Sequence, residues 1–336
     1  MNCILILKTI SETFWVQECL EQFCNPEYIP TNFMYLIILL TLLLSENVSD
    51  ERAEDFSSYL LEGDNRFEEK LEEGIRYFYN TDWIQSGKIF RELAEEAPYD
   101  PRPIFFESMK PFLEYFFIDQ SDELADEFLA ISSKAIELSE KRLDSVRDDT
   151  TMVLMLSGMH GYRGLVAAGQ NRHRIALGSG LTGFNYTRKL LSLGSDRPDA
   201  RIGRGMFYYM VGSIPSGMRW ASNIIGLRAE VDDGFNELKQ AAETDSYIRN
   251  DALMMLMYLY EREERFEEAL HYAEVLTSEL PDNVIFQFKK AEILELTGNK
   301  GVALNVYRDI VSIDNQSLPR VTEKSRKKVE ELQKNL

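Results

Sequence analysis

The sequence predicts an all-α protein, a right-handed superhelix (α-solenoid) of about six helical pairs closed by a C-terminal capping helix. Three observations predict it. From Glu51 onward apolar residues recur at helical spacing, no stretch keeps the period-two alternation of a strand, and β-branched residues are sparse. A pattern of small and large residues repeats at an offset of 34 residues near the C-terminus, the mark of stacked helix–turn–helix units. Prolines fall at the ends of those units, where a helix has to stop.

Composition sets limits on function. The chain has 336 residues, of which 44% are hydrophobic and 11% aromatic, enough to bury a large core. Fifty-six acidic residues against 37 Lys and Arg give a net charge of -19, which argues against a general nucleic-acid binder. Three cysteines are too few for a disulfide scaffold, and three histidines leave little material for a metal centre.

Residues 1–48 form an N-terminal extension of different character. Cys3, Cys19 and Cys24 all lie in it, and Phe33 to Leu44 is a run of 12 residues that is apolar except for Thr41. That is the length of a signal-peptide core; a membrane span needs roughly 20 residues. Met34 stands at its head as an alternative translation start, although no Lys or Arg then precedes the run and no A-x-A site follows it. The expectation is a signal peptide or short anchor and an extracytoplasmic protein, periplasmic or membrane-anchored. The alternative is a buried first helix in a cytoplasmic protein.

Residues 51–316 read as the helical array. Its first unit carries Gly74, Tyr77, Trp83, Ser86, Phe90, Leu93 and Pro98. Pro103 to Phe117 and Ser121 to Leu143 make a second pair, and Thr151 to Ala168 and Thr182 to Leu193 a third. Ala200 to Val211 and Gly234 to Glu243 make a fourth, split by an insertion near 211–233 that contains Met218, Trp220, Ile224, Ile225 and Leu227. In the fifth, Leu253, Leu256 and Tyr260 line one helix, Phe266, Ala269, Ala273 and Leu276 the next, and Pro281 ends the unit. Thirty-four residues on, Leu294, Gly298, Ala303, Tyr307, Ile310 and Asn315 take the matching places. Residues 317–336 supply a polar helix bearing Lys324, Arg326, Lys327 and Lys328, suited to cap a stack.

This pattern resembles the tetratricopeptide repeat (TPR). The resemblance implies that small residues at Gly74, Ala291, Ala269 and Ala303 let paired helices approach closely. It also implies that Tyr77, Tyr260 and Phe90 fill the space between units, and that Tyr260, Ala269, Leu294 and Ala303 are buried. The helix order is similar to a family of bacterial repeat proteins of unassigned role. More distantly, through GLTGFNYTRKLLSL and ARIGRGMFYY, it is similar to the eukaryotic inclusion-body clearance family.

Sharper motifs weaken on inspection. Gly178, Gly180 and Gly183 spell GxGxxG with Asp199 downstream, but no strand precedes them, so they read as a flexible turn opening a helix. Gly158, Gly161 and Gly164 form one stripe, each costing about 1 kcal/mol against Ala. A close helix neighbour, or a ligand against bare backbone, would compensate. Asp148–Asp149 and Asp232–Asp233 precede helices and read as caps. His160 and His173 are separated by a turn. The sequence yields no catalytic residue, no metal site and no cofactor.

One segment stands out by charge. Between His160 and Ala229 lie ten basic residues, nine of them Arg, opposed only by Asp196 and Asp199. They either neutralise acidic helices internally or line a concave surface for an anionic peptide, lipid head group or glycan. The candidate ligand-binding residues are Arg163, Arg172, Arg174, Arg201, Arg204, Tyr208, Arg219 and Trp220, with Arg163, Arg201 or Arg204 expected to approach Trp220 across one cavity. The expected function is a non-catalytic scaffold or adaptor whose groove holds a protein or peptide partner, acidic in character, and no nucleic acid. The alternatives are a hydrolase or transferase with its site in the Gly- and Arg-rich middle, or an envelope or lipid-associated factor. In the last case the apolar insertion or the N-terminal segment would meet the membrane.

Overall fold

The computed structural model describes residues 65–193, 198–213, 229–244 and 248–335. The cysteines, the apolar run from Phe33 to Leu44 and the core of the insertion, with Arg219 and Trp220, lie outside the described residues. Thirteen helices and no strand occur among those described. They are α1 (Asn65–Tyr79), α2 (Trp83–Glu96), α3 (Arg102–Phe117), α4 (Asp122–Ser145), α5 (Thr150–Gly169), α6 (His173–Ser192) and α7 (Pro198–Gly212). There follow α8 (Val231–Ala242), α9 (Ile248–Arg262), α10 (Phe266–Glu279), α11 (Val284–Leu296), α12 (Lys300–Ile313) and α13 (Pro319–Asn335). Consecutive helices pack in pairs, α1 on α2 through to α11 on α12, and α13 lies on α12. The arrangement is compatible with an α-solenoid. Among the described residues no helix is long and apolar enough to cross a membrane.

Local chemistry starts the helices where the sequence allows. Asp82, Ser121, Asp149 and Asn283 each accept a hydrogen bond from a backbone N–H of the following turn. Asp149 thus caps α5 as its position foretold. The other doublet lies one turn further in: Glu230 is the N-cap of α8, and Asp233 returns a bond to its backbone N–H at 2.9 Å.

Four of the turns inside pairs share one geometry. Thr81, Asn171, Glu264 and Gly298 all hold positive φ, between 56° and 80°. In each, the next N–H bonds back five residues: Asp82 to Tyr77, Arg172 to Ala167, Arg265 to Tyr260 and Asn299 to Leu294. The register that follows is strict. Five residues beyond each turn stand Ser86, Ala176, Ala269 and Ala303, all fully buried. Seven residues before the first two stand Gly74 and Gly164. A Cβ at Gly74 would lie 2.6 Å from the Phe90 ring, and one at Gly164 would lie 3.4 Å from the Ala176 carbonyl oxygen. Tyr260 and Leu294 are buried as well. Tyr77 is only half-buried; its neighbour Phe78 fills the inter-helix space instead, against Trp83 and Phe106.

Two boundaries depart from the sequence reading. Helix α6 begins at His173 rather than Thr182, so Gly178, Gly180 and Gly183 lie within a helix and open no turn. Helix α8 begins at Val231, so the insertion ends before the Asp232–Asp233 doublet.

The early and late helices of this array meet. Tyr79 donates to Asp251 Oδ1 at 2.7 Å, Asn283 Nδ2 donates to the Tyr79 carbonyl at 2.6 Å, and Asn315 Nδ2 donates to the Thr81 carbonyl at 3.2 Å. Phe116 packs on Tyr258 with ring centres 4.9 Å apart, and Phe112 on Tyr162 at 4.3 Å. Helix α13 reaches back as well: Arg320 pairs with Glu114 and Glu123, and Lys324 donates to the Ile118 carbonyl. Its role therefore includes joining α3 to the end of the chain. First helices of different pairs thus touch through aromatic rings.

Candidate functional site

Ten basic residues in one segment raise the question of which carboxylates answer them. Arg201 and Arg204, one turn apart on α7, both bind Glu237 Oε2 of α8, at 3.1 and 3.0 Å. Arg172, at the start of α6, pairs with Asp126 of α4. For these three, internal neutralisation is the outcome. Arg174 is exposed and makes no ion pair among the described residues. Tyr208 is half-buried, its ring set against that of Phe207. Arg219 and Trp220 lie outside the described residues, and with them the expected shared cavity.

Arg163 differs from the rest. It is half-buried on α5, and its Nη1 donates to the Leu129 carbonyl, Ser132 Oγ and Ser133 Oγ of α4, at 2.5, 2.6 and 3.1 Å. Its Nε and Nη2 have no acceptor, and it faces no carboxylate, among the described residues. Burial alone holds its pKa below the usual guanidinium range. Neutral oxygens thus position the guanidinium without answering its charge.

This residue lines a cleft of about 360 Å³ built by three helices. Ser133 and Ile136 come from α4, His160 and Arg163 from α5, and Ile175, Gly178, Ser179 and Thr182 from α6. Helical spacing explains the convergence, since i, i+3, i+4 and i+7 positions share one face. The glycines set its floor. Gly183 presses α6 against α5, its missing Cβ lying 3.1 Å from the Gly161 nitrogen, whereas a Cβ at Gly161 or Gly178 would meet nothing within 4 Å. The stripe therefore divides: Gly164 serves close packing, while Gly161 borders open space.

His160 completes the set, and the sequence offered it only as a metal ligand lacking partners. Both its ring nitrogens are buried without a hydrogen-bond partner. The ring stacks on Tyr186 at 5.9 Å, and Nε2 lies 4.0 Å from Glu140 Oε1, too far to bond. Tyr186 donates to that same carboxylate at 3.1 Å. Desolvation, then the nearby Arg163 charge, pushes the imidazole down to about 4, so it is neutral at pH 7. Its spacing from Arg163, three residues along one helix, was the signal available in the sequence. Among the described residues no group of three or more His, Cys, Asp or Glu side chains converges as a metal site requires.

No family model matches the chain, and no curated protein matches it.

Proposed function

We propose that this protein is a non-catalytic binding scaffold of TPR-like units, about six pairs wound right-handed, whose partner presents a negative charge. What supports the reading is Arg163. Arg102, Arg142, Arg172, Arg201, Arg204, Arg265 and Arg320 each face a carboxylate within the chain. A half-buried cation with none, held by three neutral acceptors at the edge of a cleft, is an electrostatic vacancy that an anion fills. The ligand then sits between α4, α5 and α6, away from the face where Phe116 meets Tyr258. An extracytoplasmic location, and a peptide or protein as the carrier of the charge, belong to the same proposal.

The test follows the Arg163 Nε–H resonance by NMR during titration with acetate, inorganic phosphate and an acetylated Asp-Glu dipeptide. At least one anion is expected to shift it saturably, and Arg163→Gln to abolish the effect without changing helical content. If none of the three anions moves the resonance, the proposal fails.

A further inference from the structure

We infer that the cleft selects a singly charged carboxylate carried on a short apolar body. This rests on the reading of Arg163 as the anion site and adds the class of ligand. Three observations on the cleft narrow it. The first is charge. Arg163 is the one cationic lining residue, and Glu140 of α4 places a carboxylate 4.0 Å from the His160 Nε2. A dianion such as phosphate would bring a second negative charge toward that carboxylate with no second cation to meet it. A monoanion balances Arg163 alone.

The second is the wall. Ile136 and Ile175 come from opposite helices, α4 and α6, and Ile175 is 39% exposed although it sits beside a cation and three hydroxyls. An apolar body of four or five carbons would cover it, and removing that area from water favours binding. The third is the imidazole. Neutral His160 lines the cleft wall with both ring nitrogens buried, so it adds surface without adding charge. Desolvation, then the Arg163 charge on its own helix, holds it neutral, and burial pushes the Glu140 carboxyl of α4 upward. Gly178 leaves the entrance open, since no atom lies within 4 Å of where its Cβ would stand.

The same carboxylate chemistry arrives as a free short-chain acid or as the C-terminus of a peptide, and the experiment separates them. Isovalerate, isovaleramide, acetate, inorganic phosphate and acetyl-Gly-Gly-Leu are titrated into the full-length protein at pH 7, reading the Arg163 Nε–H and His160 ring resonances. Isovalerate is expected to bind at least tenfold more tightly than acetate or phosphate, and the amide not to bind. Its affinity should be flat from pH 6 to 8. Equal affinity for the tripeptide and isovalerate assigns the free acid as sufficient; tenfold tighter tripeptide binding assigns a peptide terminus. Ile175→Glu and Gly178→Gln, both at exposed helix positions, should each weaken isovalerate at least tenfold with no loss of melting temperature. Phosphate binding equal to or tighter than isovalerate overturns the inference and leaves the anion site standing. Absence of binding by every anion overturns both.

Discussion

Asp251 shows how a single residue ties the pH response to the fold. It is half-buried at the start of α9 and accepts the Tyr79 hydroxyl; desolvation pushes its carboxyl up to about 6. The unfolded chain titrates near 3.9, so the folded state binds the extra proton between those values. Stability from this site is greatest below about pH 4, falls as pH rises toward 6, and stays lost above. Asp251→Asn keeps the acceptor for Tyr79 and removes the charge. We expect it to stabilise the protein by about 2 kcal/mol at pH 7.5 and by nothing at pH 4, read from urea midpoints. A gain of equal size at both values would mean that packing, not charge, is involved. His160 has the opposite sign: its folded pKa lies below the unfolded 6.5, so protonation favours unfolding, and stability is lost as pH falls from 6.5 through 4. Its imidazole should remain neutral by NMR at pH 5.5. The sequence made Arg163 visible as one of ten surplus cations. It could not single Arg163 out, because partnering depends on which distant carboxylate arrives. Glu237 reaches Arg201 and Arg204 from 36 and 33 positions along the chain, and nothing local to Arg163 says that no such residue comes.

Among the helices, contact distance decides what each glycine does. Gly234 of α8 lies against Gly205 and Tyr209 of α7, where an added Cβ would stand 2.6 Å from the Tyr209 nitrogen and 2.7 Å from the Gly205 carbonyl. Backbone cannot move aside as a side-chain end can, so Gly234→Ala should cost about 3 kcal/mol. Gly301→Ala, at an exposed position with nothing within 4 Å, should gain about 0.5 kcal/mol. Denaturation of the pair against wild type checks both signs at once. Asn283 does two jobs with one amide: its Oδ1 caps α11 through Phe286 N–H, and its Nδ2 holds the Tyr79 carbonyl. Asn283→Asp keeps the cap but sets a carboxylate against a carbonyl, and should destabilise by about 2–3 kcal/mol. Asp149→Ala, losing the part-buried cap of α5, should cost about 1 kcal/mol. The sequence located most of these helices within a few residues, because the large residues at Phe90, Tyr260 and Tyr307 mark the repeat. It misplaced the start of α6 because glycine stands at 183, where other units carry Leu93, Leu276 and Ile310, and three glycines in six residues read as a turn. The unit is present nonetheless, in Gly164, the left-handed Asn171 and the buried Ala176.

For the molecule as a whole, a 34-residue period describes how one pair lies on the next and says nothing of how far the path curves. Thus the meeting of α1–α3 with α9, α11 and α13 was illegible, and a terminal cap was the natural reading of α13. In an open stack, loss of a terminal helix frays only its neighbour. Here, a chain ending at Asp314 should lose hydrogen-exchange protection in α3, about 200 residues away in sequence, as well as in α12. Protection lost in α12 alone would show that the Arg320 and Lys324 contacts carry no stability. The same seam sets a clock on biosynthesis. Thr81 emerges from the ribosome 234 residues before Asn315, its partner. At ordinary elongation rates that interval is roughly 10–50 s, during which the first hairpin waits without the end of the chain. What waits at this point is a pair of backbone carbonyls, of Tyr79 and Thr81, later taken by the amides of Asn283 and Asn315. Water satisfies a carbonyl in the meantime, so the last latch to close is one that the nascent chain can hold open in solution without sticking to its neighbours.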